Sequence, residues 1–383
     1  EFKIGRLYIS PDLNVILENV LAKDQKDNVL LSSDKLSAKF SYSDIFDGEL
    51  HINKVELDRT EANLVTYEGE DDMNLRFIID FFSSDKEREP KEGSLPIRID
   101  RLLLKDVDFM LWNQNRSNSL KTQQHAMDYA HIDVDDINLD AYDIFINGDS
   151  ISASIKSLTA NELSGFELKA FKTDALVCSK GIFLDGLQIS TNNSQLDLDL
   201  HMLYSDYSDI NSFVASVYFD SRIYPTDIML SDIGVFAEVM YKMPDLVHFE
   251  ARFIGPIEHF QVEDLKAGFG NETHFEGNMS MHPLDFFYGQ HTLNINKMHY
   301  SYDDLVHFHI PGSTETIPIP ESLKGLDRGN IKFNFKGSYK DFLADANITS
   351  GIGDIAANFN MDLQGANGTA FSSKVKAQRI DVG

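Results

Sequence analysis

Apolar and polar side chains alternate with a period of two along much of the chain, most clearly where Leu196, Leu198, Leu200 and Met202 interleave with Asp197, Asp199 and His201. Neighbouring residues of a strand point to opposite faces, so such a run predicts a half-buried strand. The pattern recurs at Ile97 and Ile99, at Val107, Phe109 and Leu111, and at Phe249, Ala251 and Phe253. It returns at Ile331, Phe333 and Phe335, and at Phe359, Met361 and Leu363. Asp47-Gly48, Asn147-Gly148, Asp185-Gly186, Lys336-Gly337 and Asn367-Gly368 punctuate these runs and suit tight turns, which predicts sequential antiparallel strands. Helical patterning is scarce: Asn74 to Phe82, Ser231 to Met243 with Asp232 near its start, and a turn over Glu321 to Leu326 after Pro320.

The stretch from Ser83 to Gly93 is charged and lacks apolar anchors, which marks it as a linker or exposed loop. The resulting organisation is an N-terminal β unit over residues 1–82 ending in a short helix, and a linker over 83–94. A central sheet over 95–224 and repeated strand units over 225–383 follow, with a weaker boundary at Tyr224-Pro225. The repeat is short. Gly255-Pro256-Ile257-Glu258-His259-Phe260 aligns with Gly337-Ser338-Tyr339-Lys340-Asp341-Phe342, and Phe253 aligns with Phe335 at the same offset. Downstream, Phe275, Gly277, Met279 and Met281 align with Ala357, Phe359, Met361 and Leu363, as expected of a sheet that grows by adding units.

A sheet with one apolar face must cover it, usually with a second sheet or with helices. Too few helices are expected here to do so. Two solutions remain: a closed sandwich, or a single curved sheet whose inner face is open to an apolar ligand. Each inward Leu, Ile, Met or Phe gains about 1.5–3 kcal/mol on leaving water. Alternation alone does not choose between them, because both need it.

Charge narrows the partners. The chain carries 61 acidic and 34 basic side chains, a net charge of −27, whose field repels nucleic-acid phosphates and anionic lipid headgroups. Acyl chains are recruited by apolar surface instead. Cys178 is the one cysteine, so no intramolecular disulfide and no cysteine-based zinc or redox motif is available. No run of about 18 apolar residues is present. The final Arg379-Ile380-Asp381-Val382-Gly383 reads like the middle of a strand, an expectation that the sequence is part of a longer chain.

No candidate chemistry outweighs an ordinary structural role. His131 to Asp140 is rich in acids, yet Asp133 and Asp135 alternate with Ile132 and Val134 as on a solvated strand face, without the glycine-centred calcium loop. His307 and His309 share a strand face if the segment is a strand, but zinc needs further converging ligands. The hydroxyls of Ser164 and of Thr191 to Ser194 lack a nucleophile elbow and read as turn residues. Gly268-Phe269-Gly270-Asn271 lacks the lysine of a phosphate loop. Phe dominates the aromatics at 27 residues against the single Trp112, which points to core or groove lining rather than a carbohydrate platform. The expectation is a protein that is not an enzyme, with no cofactor, metal or catalytic residue.

Several segments resemble the TamB/AsmA-like family as it occurs in Bacteroidota. They include Leu7 to Ser10, Val15 to Leu21, Asp24-Gln25-Lys26-Asp27-Asn28-Val29-Leu30-Leu31, and Leu36 to Phe40. Ile45 to Ile52, Val55-Glu56-Leu57, Asp72-Met73-Asn74-Leu75, Leu163 to Leu168 and Leu187 to Ser194 also look like that family, although position 28 is Asn where its pattern has Thr. The resemblance implies an all-β, elongated and curved antiparallel sheet forming a groove in the periplasm. That groove would shield phospholipid acyl chains for transport between membranes or assist outer-membrane protein assembly. It also implies an inner-membrane anchor outside this sequence and pairing with a BamA-like barrel. Leu196, Leu198, Leu200, Met202, Ile331, Phe333, Phe335, Phe359, Met361 and Leu363 are the expected groove lining. The rival is a structural or adhesin-like surface sandwich or solenoid whose apolar faces bury each other.

Overall fold

A computed structural model describes residues 1–40, 50–77, 95–116, 126–282, 288–363 and 370–379. The linker at 83–94, Asp47-Gly48 and Asn367-Gly368 lie outside the described residues, as does most of the helix expected from Asn74 to Phe82. Among the described residues 66% lie in strands, so the fold is all-β, and the nineteen described strands belong to a mostly antiparallel sheet that does not close into a barrel. Two compact units divide the chain. The first comprises Glu1–Ser179, Leu184–Asn193 and Val235–Glu238; the second comprises Lys180–Phe183, Ser194–Gly234 and Val239–Gly383.

In the first unit β1 (Phe2–Ile9), β2 (Asn14–Lys23), β3 (Val29–Phe40), β4 (Leu50–Thr66), β5 (Ile97–Asn113), β6 (His131–Asn147), β7 (Ser150–Glu162) and β8 (Glu167–Cys178) pair in sequence order. One pairing departs from the antiparallel expectation. β4 and β5 are parallel, with Leu50 beside Ile97 and Thr66 beside Asn113. The connection between Thr66 and Ile97 is long enough to carry the chain back to its starting end, which a two-residue turn cannot do.

Strict alternation also fails inside the strands, at one kind of place. Asn19, Arg59, Asp106 and Asp136 have φ of 53°, 45°, 49° and 54° in the middle of β2, β4, β5 and β6. A left-handed residue within a strand resets the side-chain phase, so residues that face inward there are three apart instead of two. Leu17 is followed by Val20, Leu57 by Thr60, Leu104 by Val107, and Val134 by Ile137. The reset keeps one face apolar. Leu17, Leu36, Leu57, Leu104 and Leu139 stand in one cross-strand row, and Ala22, Leu31, Ala62, Phe109 and Val134 in another. Asp133 and Asp135 therefore share a face only up to Asp136, where the phase changes. Asp185-Gly186, expected as a turn, is a further case within β9 (Gly181–Ser190), where Gly186 takes φ 56°.

The second unit holds β10 (Gln195–Leu203), β11 (Tyr218–Met229), β12 (Leu246–Gly255), β13 (Phe260–Phe269), β14 (Thr273–Met281), β15 (His291–Ser301), β16 (Arg328–Gly337), β17 (Asp341–Ser350), β18 (Gly353–Asp362) and β19 (Ala370–Gln378). Each pairs antiparallel with the next. Tyr224-Pro225 lies within β11, where the register slips between Ile223 and Thr226 because proline has no N–H to give the ladder. The helix expected over Ser231 to Met243 is reduced to Leu230–Ile233 and a 3₁₀ turn at Glu238–Met240, while Glu321–Leu326 forms the expected turn.

The sequence repeat is a structural one in its first arm. Gly255 and Gly337 both end a strand at positive φ, 108° and 138°. A Cβ would meet the His259 carbonyl oxygen at 2.7 Å in the first and the Asp341 carbonyl oxygen at 2.2 Å in the second. Phe253 packs on Phe260 with centroids 4.6 Å apart, as Phe335 does on Phe342 at 5.2 Å. The second arm is displaced by two residues: Phe260 pairs with Met281, but Phe342 pairs with Met361. The bulge at Asp264 adds one residue to β13, and the Gly270–Glu272 loop is one longer than Gly351-Ile352. Met281 thus corresponds to Met361 rather than to Leu363.

Candidate apolar binding face

Strand register places nine of the ten expected lining residues on one face of the second unit. Leu198 pairs with Ile223 and Met202 with Phe219, with Leu196 and Leu200 in phase along β10. Ile331 pairs with Met298 and Ile348, Phe333 with Ile295 and Ala346, and Phe335 with Leu293 and Ala344. The rows continue through Ala357 and Phe359 of β18 to Val375 and Ser373 of β19, while Met361 joins Phe342 and Phe371. Leu363 follows the end of β18.

Burial along this face is uneven. Ala251, Val262, Leu265 and Ala267 are 1–8% exposed and ringed by Phe249, Phe253, Phe260, Phe275 and Met279. Ile331, Phe333 and Phe335 are half-buried. Further along, Phe359 is 37% exposed, Phe371 59% and Val375 59%. Leu198 is buried, Leu196, Leu200, Met202 and Met361 are half-buried, and Leu363 is exposed.

The opposite face is charged. Arg252 grips Asp220 through two hydrogen bonds of 3.0 and 3.1 Å, and Lys266 lies 3.3 Å from Glu250. Lys332, Asn334 and Lys336 stand exposed between the aromatic positions of β16. In the first unit Glu56 is buried on the polar face, with Lys54 at 2.5 Å and Lys105 at 2.8 Å. Their hydrogen bonds, Lys105 first, hold its carboxyl down at about 2, well below its ordinary 4.5.

Several residues singled out in the sequence pin strand ends. Asp24 is buried and accepts from the amides of Lys26 and Asn28 at 2.9 and 3.0 Å, from the Asn74 side chain at 3.1 Å and from Tyr67. Burial pushes this carboxyl up, but the donors outweigh it and leave it low. The Asp24–Leu31 and Asp72–Leu75 segments are thereby joined, a contact between distant positions that no local pattern reveals. Ser164 donates through its amide to Glu162 at 2.7 Å, and Ser194 donates to Asp232 at 2.7 Å. In the second unit Asp304 accepts from the amides of Asn271, Glu272 and Thr273 at 2.8–2.9 Å, fastening the short helix Tyr302–His307 to the β13–β14 loop.

His307 ends a helix with its ring on the Asp303 carbonyl oxygen at 2.7 Å, whereas His309 lies in a bridge to Thr316 with Asp245 at 3.1 Å, so the two do not share a strand face. Among the described residues no group of three or more His, Cys, Asp or Glu side chains is arranged to hold a metal ion, and no helix is long and apolar enough to cross a membrane. No family model matches the chain, and neither a curated protein nor a solved structure does.

Proposed function

We propose that the protein is a non-enzymatic component of envelope biogenesis, of the TamB/AsmA-like kind, whose apolar sheet face shields phospholipid acyl chains in the periplasm. The observation that carries this reading is the apolar face of β16–β19. Its aromatic and aliphatic rows run from strand to strand, with Ile331, Phe333 and Phe335 half-buried and Phe359 37% exposed on strands that are paired on both sides. An apolar strip of this kind removes acyl chains from water without any directional contact, and headgroups stay hydrated at its margin. The charged opposite face keeps such a sheet soluble. On this reading the role is inner-to-outer membrane transport or support of outer-membrane protein assembly, with a BamA-like barrel as partner and an inner-membrane anchor outside this sequence.

Lipid extraction followed by mass spectrometry on detergent-free protein tests the reading, beside an unrelated acidic β-protein purified in the same way. Stoichiometric phospholipid specific to this chain is the expected result. Absence of lipid together with no uptake of a fluorescent fatty acid would overturn it and favour a self-buried sheet.

A further inference from the structure

In the first unit the left-handed residues of β2, β4, β5 and β6 fall on one transverse line, which crosses β3 at Asp34. The β2–β3 ladder joins Glu18 to Lys35 and Val20 to Ser33 but skips Asn19 and Asp34. The β3–β4 ladder skips Asp34 and Arg59, and the β4–β5 ladder skips Arg59 and Asp106. Between β5 and β6 the register slips on both sides of Val107, with Asp136 left-handed on the partner strand. An interrupted ladder loses backbone partners, and at these exposed positions side chains or water can supply them.

Side chains take their place. The Asp106 amide donates to the Asn138 side chain at 3.2 Å, and the Asp136 amide donates to Asp108 at 3.1 Å. Ser33 donates to the carbonyl of Asp58, the residue before Arg59, at 3.3 Å, and Thr173 donates in the same manner to the carbonyl of Asp185, before Gly186, at 3.0 Å. Arg59 reaches Asp34 across the line at 2.5 Å. On the apolar side the row beside the line holds Val20, Ser33, Thr60, Val107 and Ile137, smaller for the most part than the leucine row that precedes it.

We infer that this line is a flexure built into the first unit, about which the two halves of β2–β6 change their inclination while the ladders on either side stay intact. Across β2–β5 the register holds on both sides of the line, and between β5 and β6 it slips, where a bulge sharpens local twist and bends the strand that carries it. A series of interrupted pairings aligned across neighbouring strands concentrates bending in one place. Side-chain tethers rotate about several torsions and so follow a change of angle that would break a ladder hydrogen bond of fixed direction. The inference stands on the first unit's geometry and does not depend on what the apolar face binds.

Two measurements on the full chain test it together. In native-state hydrogen exchange, the amides of Asn19, Arg59, Asp106 and Asp136 should exchange about tenfold faster, after correction for intrinsic rates, than those of Leu17, Leu57, Leu104 and Leu139. In a Cys178→Ser background, spin labels at Asp12→Cys and Gln25→Cys flank the line, whereas labels at Asp12→Cys and Asp149→Cys lie on one side of it. The distance distribution of the flanking pair should be the broader. Uniform exchange along the strands, or equal widths for the two pairs, would overturn the flexure, and neither readout requires lipid to be present.

Discussion

Within the second unit, the β12–β13 hairpin and the β16–β17 hairpin share a glycine-ended turn and a paired phenylalanine, yet one buries its apolar side chains and the other leads to exposed ones. The difference lies in what flanks each hairpin. Around Ala251, Ala267 and Gly277 the flanking Phe249, Phe253, Phe260 and Phe275 lean over small neighbours and close a local core. Toward β19 the rows run through Ala344, Ala346 and Ala357 to Phe359, Phe371 and Val375, and the outermost residues stay open. Alternation fixes which face is apolar, whereas burial also depends on flanking strands: β12–β14 have neighbours on both sides, and β19 is the last described strand and exposed along its whole length.

The largest effect should follow from putting a charge on the closed side of this comparison. Val262→Asp strands a carboxylate at a position that is 3% exposed and should lower unfolding free energy by about 3 kcal/mol or more. Phe371→Asp, at a position 59% exposed, should stay within about 0.5 kcal/mol in the same denaturant titration. Equal losses would break the distinction between the two regions.

The shared turns sharpen it. Gly255→Ala and Gly337→Ala each force a side chain into positive φ and against backbone, and each should cost about 1–3 kcal/mol by thermal or denaturant unfolding. Gly351→Ala, whose Cβ meets nothing within 4 Å, should be nearly silent. Failure of the first two to behave alike would separate the hairpins that the repeat joins.

Polar faces differ between the units in a smaller way. The Glu56 carboxyl is held at about 2 against an ordinary 4.5, so its stabilising contribution is complete above about pH 4.5 and is lost as pH falls through about 2. Its lysine partners are partly solvated, so Glu56→Gln should cost only about 1–2 kcal/mol at pH 7 and little at pH 2. Glu250→Gln, whose partners Lys266 and Arg222 are exposed, should cost less than about 0.5 kcal/mol at either pH. A pH-independent loss in Glu56→Gln would remove the ion pairs as its cause.

The strands of the second unit were legible in sequence because β16 and β18 keep an unbroken period of two. Those of the first unit were harder to place by face, since Asn19, Arg59, Asp106 and Asp136 reset the phase. The signal was nevertheless present as an apolar spacing of three behind a polar residue, as in Leu104, Asp106 and Val107. Asp185-Gly186 has the composition of a hairpin turn, but Gly186 serves the same left-handed role within a strand. The parallel pairing of β4 with β5 leaves no local mark, because it depends on the path of a long connection. Nine of the ten expected lining residues share a face for reasons visible in their alternation, while the closing of that face around Ala251 depends on cross-strand neighbours that only register reveals.

Photo-crosslinking tests the central claim most directly. A photoreactive amino acid at Phe333 or Phe359, in protein purified from cells or loaded with phospholipid vesicles, is predicted to capture lipid, whereas the same probe at Lys332 or Asn358 on the charged face should not. Capture at none of these positions, or equally on both faces, would contradict an apolar face that shields acyl chains.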